Sequence, residues 1–175
     1  SASNCSVTII TQTTPDRMHF LCKMADRWAP HPLNAAVYVP KGVDEAAVEA
    51  ALRTDALPRL HVRLIFRHQQ VASEPYPINE LRNLAIDRVT TTHFLTLDVD
   101  LWPSKGLHAA FSLQDESVVG AEKMALVVPA FAFYATHLSA KADAAFHDKA
   151  DQVPHSMGEL AACLDRGNCT TFYAR

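Results

Sequence analysis

Residues 76–104, YPINELRNLAIDRVTTTHFLTLDVDLWPS, decide how this chain folds. Pro75 and Pro77 hold an extended approach. Ile78, Leu81, Ala85 and Val89, with Leu84 beside them, then recur at helical spacing and predict an apolar helix face. Thr91–Leu97 is β-branched and aromatic, the composition of a buried strand. That strand runs into Asp98-Val99-Asp100, followed by Leu101, Trp102 and Pro103. On extended backbone, carboxylates at i and i+2 point to the same side. A helix would set them about 200° apart.

Upstream, Ser6–Thr11 (SVTIIT) predicts a first, central strand. Thr14 before Pro15 is a cap followed by proline at the first helical position. The helix continues through Met18, Leu21, Cys22, Ala25 and Trp28 and stops near Pro30. Asn34–Val39 is a second strand, ended by Pro40-Lys41-Gly42, and an Ala-rich helix follows from Asp44 to Arg53. Leu60–Phe66 reads as a third, half-buried strand, and His68–Glu74 as a polar loop across the sheet's carboxyl edge. Short strand–helix–strand units of this kind predict an α/β fold with a mostly parallel sheet flanked by helices.

Downstream, Trp102-Pro103-Ser104 turns the chain, Lys105–Leu113 forms a short helix, and Gln114–Glu122 is a polar connection. Met124–Phe133 (MALVVPAFAF) predicts a further strand, with Pro129 marking an edge, bulge or bend. Ser139 caps a helix over Ala140–Lys149. Ser156-Met157-Gly158-Glu159 has capping-box spacing for another helix, with Gly167 near its end. Thr170–Arg175 starts one more strand.

A length of 175 residues predicts one domain with a single sizeable core. Lysine plus arginine number 16 against 19 acids, a net charge of −3 without any local basic cluster, which excludes a nucleic-acid footprint. No apolar run reaches the length of a membrane span, and SASNCS is not a signal peptide. The missing initiator Met predicts a processed or trimmed product. Cys5, Cys22, Cys163 and Cys169 form no C-x-x-C pair; either Cys163 and Cys169, six apart around a helix end, form a local disulfide, or all four remain thiols. The nine histidines show no H-x-x-x-H spacing, so no zinc site is legible.

Two like charges at a strand end are costly unless a cation lies between them. A hard divalent ion that keeps open positions for phosphates would answer that need; the ordinary alternative is a solvated acidic turn. Asn79, Arg82 and Asn83 share one turn near a helix N-terminus, where an arginine and the helix dipole suit a diphosphate or a sugar carboxylate. Equally, Arg82 could be a structural clamp on Asp87, Glu80 or Asp98. Glu80 reads as a solvated helix-face charge, and Trp102 as core or wall.

YPINELRNLAIDRV, TTHFLTLDVDLWPS and ALVVPAFAF resemble the LARGE-type glycosyltransferase family, family 49 of the glycosyltransferases, which includes the β-1,4-glucuronyltransferase acting on dystroglycan glycans. VTIITQTTPDR and the region of Trp28 also fit, so the resemblance runs in order along nearly the whole chain. It implies a GT-A-like nucleotide-diphospho-sugar transferase domain, residues 1–175 being a single and partial one that lacks the C-terminal part. It implies a metal-dependent, inverting transfer of a sugar, glucuronate by default, from a UDP-sugar to a glycan acceptor. Asp98 and Asp100 would hold Mn²⁺ or Mg²⁺, while Thr11, Gln12, Asn79, Arg82 and Asn83 would contact the donor. A luminal home in the Golgi or secretory pathway follows from the same resemblance and would permit a disulfide.

The family's third metal ligand and general base match no motif here, and His137, His147 and His155 are not assigned to either role. A protein partner or a further C-terminal segment would complete the domain. The alternative is a non-catalytic, transferase-like structural or interaction subunit. A Mg²⁺-dependent phosphohydrolase ranks last, because that class wants its acidic pair on the first strand.

Overall fold

The chain is built outward from one wholly buried strand, β1 (Val7–Thr13). The computed structural model describes residues 5–54, 61–121, 125–133 and 149–172. These fall into two units, residues 6–102 and a second one of Cys5 with the residues from Pro103 onward.

In the first unit a 3₁₀ turn (Pro15–Arg17) follows β1 and leads into α1 (Met18–Trp28). Thr14 has the extended backbone of a cap, as its place before proline implies, but its hydroxyl makes no capping hydrogen bond. α1 buries Leu21, Met24, Ala25 and Trp28, and the Trp28 indole N–H donates to the Pro32 carbonyl at 2.9 Å. β2 (Leu33–Val39), α2 (Glu45–Thr54), β3 (Val62–His68), α3 (Ile78–Ile86) and β4 (His93–Thr96) complete the unit. Asp44 opens α2 by accepting from the Ala46 N–H.

All four strands run parallel in the order β3-β2-β1-β4. Strand, helix and strand in alternation favour this kind of sheet, because each crossover returns the chain to the same end of the sheet before the next strand begins. α3 covers β1 and β2: Leu81 and Ala85 meet Ile10, Ala36 and Tyr38, and Leu84, Ile86 and Val89 pack around them. Asn34, buried on β2, ties the end of α3 to the sheet by donating to the Ala85 carbonyl at 3.1 Å.

Two sequence expectations change here. Ile78 was expected on the buried helix face, yet it is exposed at the first turn of α3, where only Leu81 and Ala85 are fully buried. Thr91–Leu97 was expected to be a buried strand, but β4 is shorter and its residues alternate between half-buried and exposed. Among the described residues it pairs only with β1, and α3 does not extend over it, so Phe94 remains 49% exposed.

The second unit contains α4 (Leu107–Ser112), a single helical turn α5 (Glu116–Val119), β5 (Phe131–Phe133), α6 (Met157–Asp165) and β6 (Cys169–Thr171). β5 and β6 pair antiparallel. The expected polar connection at 114–122 holds α5, because Asp115 accepts from the Ser117 N–H and nucleates the turn. The long strand expected over 124–133 shrinks to three residues; Ala125–Ala130 lies outside any strand, with Val127 92% exposed. Pro129, which cannot donate to a ladder, sits in that stretch.

α6 opens as its capping spacing implied. The Ser156 hydroxyl accepts from the Glu159 N–H, and the Glu159 carboxylate accepts from the His155 N–H. It closes at Gly167, whose φ of +71° lets Asn168 N–H reach the Cys163 carbonyl. A Cys163–Cys169 disulfide then joins α6 to β6, which decides the open question of their pairing. The helix expected over 140–149 lies outside the described residues, apart from helical Lys149.

Candidate functional site

Strand order fixes where a ligand can sit. From β1 the chain moves to β2 on one side, and after β3 it returns through α3 to β4 on the other. Strand order therefore reverses beside β1, and in open parallel sheets the crevice outside the carboxyl ends at such a reversal is the binding place. Here that crevice is a cleft of about 370 Å³ lined by Gln12, Thr13, Thr14, Arg17, Tyr76, Ile78, Asp98, Val99 and Asp100.

Register brings the first pair together. Ile10 lies opposite Thr96, so two residues further along each strand Gln12 arrives beside Asp98. The Gln12 side-chain N–H donates to Asp98 Oδ1 at 2.8 Å, and Arg82 on α3 donates to the same oxygen at 3.1 Å. Asp100 Oδ2 accepts from Arg17 at 2.8 Å. Each carboxylate thus has a guanidinium partner and keeps one oxygen, Asp98 Oδ2 or Asp100 Oδ1, outside these hydrogen bonds. Both aspartate side chains are 51% exposed. Ion pairs this open contribute about 0–1 kcal/mol each to stability; the arrangement sets charge more than it holds the fold.

The pair is not carried on a continued strand end as expected. β4 stops at Thr96, and a turn closed by Leu101 N–H on the Asp98 carbonyl at 2.8 Å carries Asp98, Val99 and Asp100. Val99 is 1% exposed between its two open neighbours. It is this buried side chain, not strand alternation, that seats the turn at the cleft.

Tyr76 forms another wall. Its ring meets Tyr38 edge-on, with centroids 5.5 Å apart, and burial raises its hydroxyl above the ordinary tyrosine range. The loop that carries it is strapped to β3. Arg67 donates to Glu74 and to Glu80 at 2.6 Å each, and Glu74 accepts from the Gln70 N–H at 2.7 Å. Glu80 stays exposed on its helix face, as expected, and is also half of this ion pair.

Of the residues singled out in the sequence, the fold brings Gln12, Arg82, Asp98 and Asp100 together. Thr11 is buried on the other face of β1, its hydroxyl without a hydrogen-bond partner among the described residues. Asn79 and Asn83 are exposed on α3 and do not line the cleft. Arg82 takes the clamp role on Asp98 that was one of its alternatives. Sequence reasoning missed Arg17 and Tyr76 as cleft residues. The available signal for Arg17 was a cation four residues after a buried strand. For Tyr76 no spacing rule points into a cleft.

Gln12 is 6% exposed, and its side-chain carbonyl oxygen has no hydrogen-bond partner among the described residues. A buried acceptor of this kind costs free energy until a donor reaches it. Two carboxylate oxygens open to the cleft offer hard donors suited to Mn²⁺ or Mg²⁺. No group of three histidine, cysteine, aspartate or glutamate side chains able to hold a metal occurs among the described residues. The donor set thus fits a cation that completes its shell with water or phosphate oxygens.

Residues 57–175 match the family model described as glycosyl-transferase for dystroglycan. The chain is 31% identical over 170 residues to the xylosyl- and glucuronyltransferase LARGE2 of Homo sapiens, covering 95% of this chain and 21% of that protein. It is 37% identical over 103 residues to the glycosyltransferase-like protein gnt14 of Dictyostelium discoideum, covering 58% of this chain and 16% of that one. The chain thus spans about a fifth of the length of these curated relatives. With a parallel α/β sheet of the GT-A-like type and a family model matched over most of its length, the chain belongs to the LARGE-type glycosyltransferases of family 49.

Proposed function

We propose that this cleft binds a UDP-sugar together with Mn²⁺ or Mg²⁺ and serves the transfer of the sugar, glucuronate by default, to a glycan acceptor with inversion. The observation that carries the reading is the Asp98-Val99-Asp100 turn at the strand-order reversal, with Gln12, Arg17 and Arg82 around it. Asp98 and Asp100 would hold the cation through their open oxygens. Such a cation offsets the charge that develops on a departing diphosphate. Arg17 and Arg82 supply two permanent positive charges beside the same place, and guanidinium forks match phosphate oxygens. Gln12 orients Asp98 through its N–H, leaving its carbonyl to accept from a ligand. Tyr76 and Ile78 give the cleft an apolar surface on one side. The Cys163–Cys169 disulfide supports a Golgi or secretory-pathway lumen, since such bonds persist in oxidising compartments.

Calorimetric titration with UDP, with and without Mn²⁺, tests the donor site. Wild type should bind UDP in a metal-dependent way, and Asp98→Ala with Asp100→Ala should remove the metal-dependent part. UDP binding that is indifferent to both metal and mutation would refute this use of the aspartates. Complete absence of binding would favour a non-catalytic, transferase-like subunit.

A further inference from the structure

The two carboxylates do not wait for a cation with their charges bare. Arg17 and Arg82 already neutralise them, and each arginine comes from a different element, the 3₁₀ turn after β1 and α3. Resting on the donor-site reading above, we propose that Arg17 and Arg82 are exchangeable counter-ions, pairing with Asp100 and Asp98 in the free protein and passing to the diphosphate when metal and nucleotide arrive together.

The argument is one of charge. Two aspartates and two arginines make the turn and its surroundings formally neutral. A divalent cation arriving alone meets guanidinium nitrogens already 2.8 and 3.1 Å from its carboxylate ligands, and like charges at such range oppose it. A diphosphate arriving alone can win the arginines only by leaving both carboxylates unpaired beside its own negative oxygens. When the two arrive as a pair, the cation takes the carboxylates and the phosphates take the arginines, and every charge keeps an opposite neighbour. Binding of one therefore strengthens binding of the other, by the same factor in either direction.

The geometry allows the exchange. Arg17 and Arg82 side chains are 40% and 33% exposed, and neither ion pair is locked in the interior. The Arg17 guanidinium also lies 5.3 Å from the Phe20 ring centre, a face that can hold it while its partner changes. Arg82 has a buried Nε–H without a hydrogen-bond acceptor among the described residues, so its pairing with Asp98 leaves a donor unused.

The test uses the full chain, with Mn²⁺ alone, UDP alone and UDP in the presence of Mn²⁺ as probes, followed by calorimetry and by the Mn²⁺ electron-spin signal. In wild type each probe should bind at least about tenfold more tightly in the presence of the other. Arg17→Gln should move the two measurements in opposite directions. Mn²⁺ alone should bind about two- to fivefold more tightly, the size expected from losing one exposed ion pair. UDP with Mn²⁺ should bind about tenfold more weakly, as when a charge-assisted contact is lost. Arg82→Gln should behave likewise, and Arg17→Lys, which keeps the charge, should restore weak binding of Mn²⁺ alone. If Arg17→Gln weakens Mn²⁺ alone, or leaves both measurements unchanged, the exchange is wrong while the donor site stands. If wild type binds no Mn²⁺–UDP pair, both readings fall.

Discussion

Leu81→Ala is the sharpest test of how α3 is seated. Leu81 is fully buried against Ile10, Ala36, Tyr38 and Ala85. Removing three side-chain carbons forfeits about 2.4 kcal/mol of transfer free energy, at about 0.8 kcal/mol per methylene. The hole left behind adds about 1 kcal/mol, because the surroundings close in only partly. Closure is poor here: the methyl groups of Ala36 and Ala85 have no rotamer that could move in, and Ile10 is fixed on the wholly buried β1. The expected cost is therefore about 3–4 kcal/mol. Ile78→Ala, one turn earlier on the same helix and exposed to solvent, should cost less than about 1 kcal/mol. Urea unfolding followed through the fluorescence of Trp28, which is buried, and Trp102 reads both variants in one assay. A Leu81→Ala cost below 1 kcal/mol, or equal costs for the two, would refute the packing of α3 described above.

The strap under Tyr76 should be visible in acid. Hydrogen bonding from the Gln70 N–H, aided by Arg67, holds the Glu74 carboxyl below its ordinary range. Its contribution is thus complete above the pH where free glutamate titrates, and is lost as pH falls through the lowered folded value. Glu74→Gln should flatten the acid limb of the stability–pH curve, and superimposable curves would rule the strap out as an acid-sensitive element. For the disulfide, alkylation of denatured, unreduced protein should label two cysteines, Cys5 and Cys22; four labels would show that Cys163 and Cys169 are not joined. Reducing that bond, which closes a loop with a separation of 6 residues, should destabilise α6 and β6 by about 2 kcal/mol on chain-entropy grounds, measured by hydrogen exchange.

Local rules carried the sequence reading wherever one residue type suffices. Proline after Thr14, glycine at 167 and the serine–glutamate spacing at 156–159 each mark a boundary through their own backbone chemistry, and the boundaries lie there. The run of β-branched residues in β1 and the alternation of strands and helices likewise gave the parallel sheet. What periodicity could not supply was the footprint of one element on another. Ile78 and Leu81 share a helical stripe, but the stripe is wider than the sheet beneath it, so one is covered and the other faces the cleft. β4 has the composition of a buried strand, although burial depends on what covers it. The Asp98–Asp100 pair was legible as chemistry but not as shape, because a turn and an extended end can present the same two carboxylates. Arg17 was missed as a cleft residue for a related reason: its position after β1 hints at the cleft, but its partner is 83 positions away.

Val99 gives this acidic pair a property that neither aspartate has. The charged neighbours are open to water, while the residue between them is a peg in the interior. A substitution that merely resizes the peg, such as Val99→Ile or Val99→Ala, would tilt both carboxylates together while conserving every charge in the cleft. On the donor-site reading proposed above, cation preference and nucleotide affinity would then drift through packing alone, with the middle letter of the motif as the tuning screw.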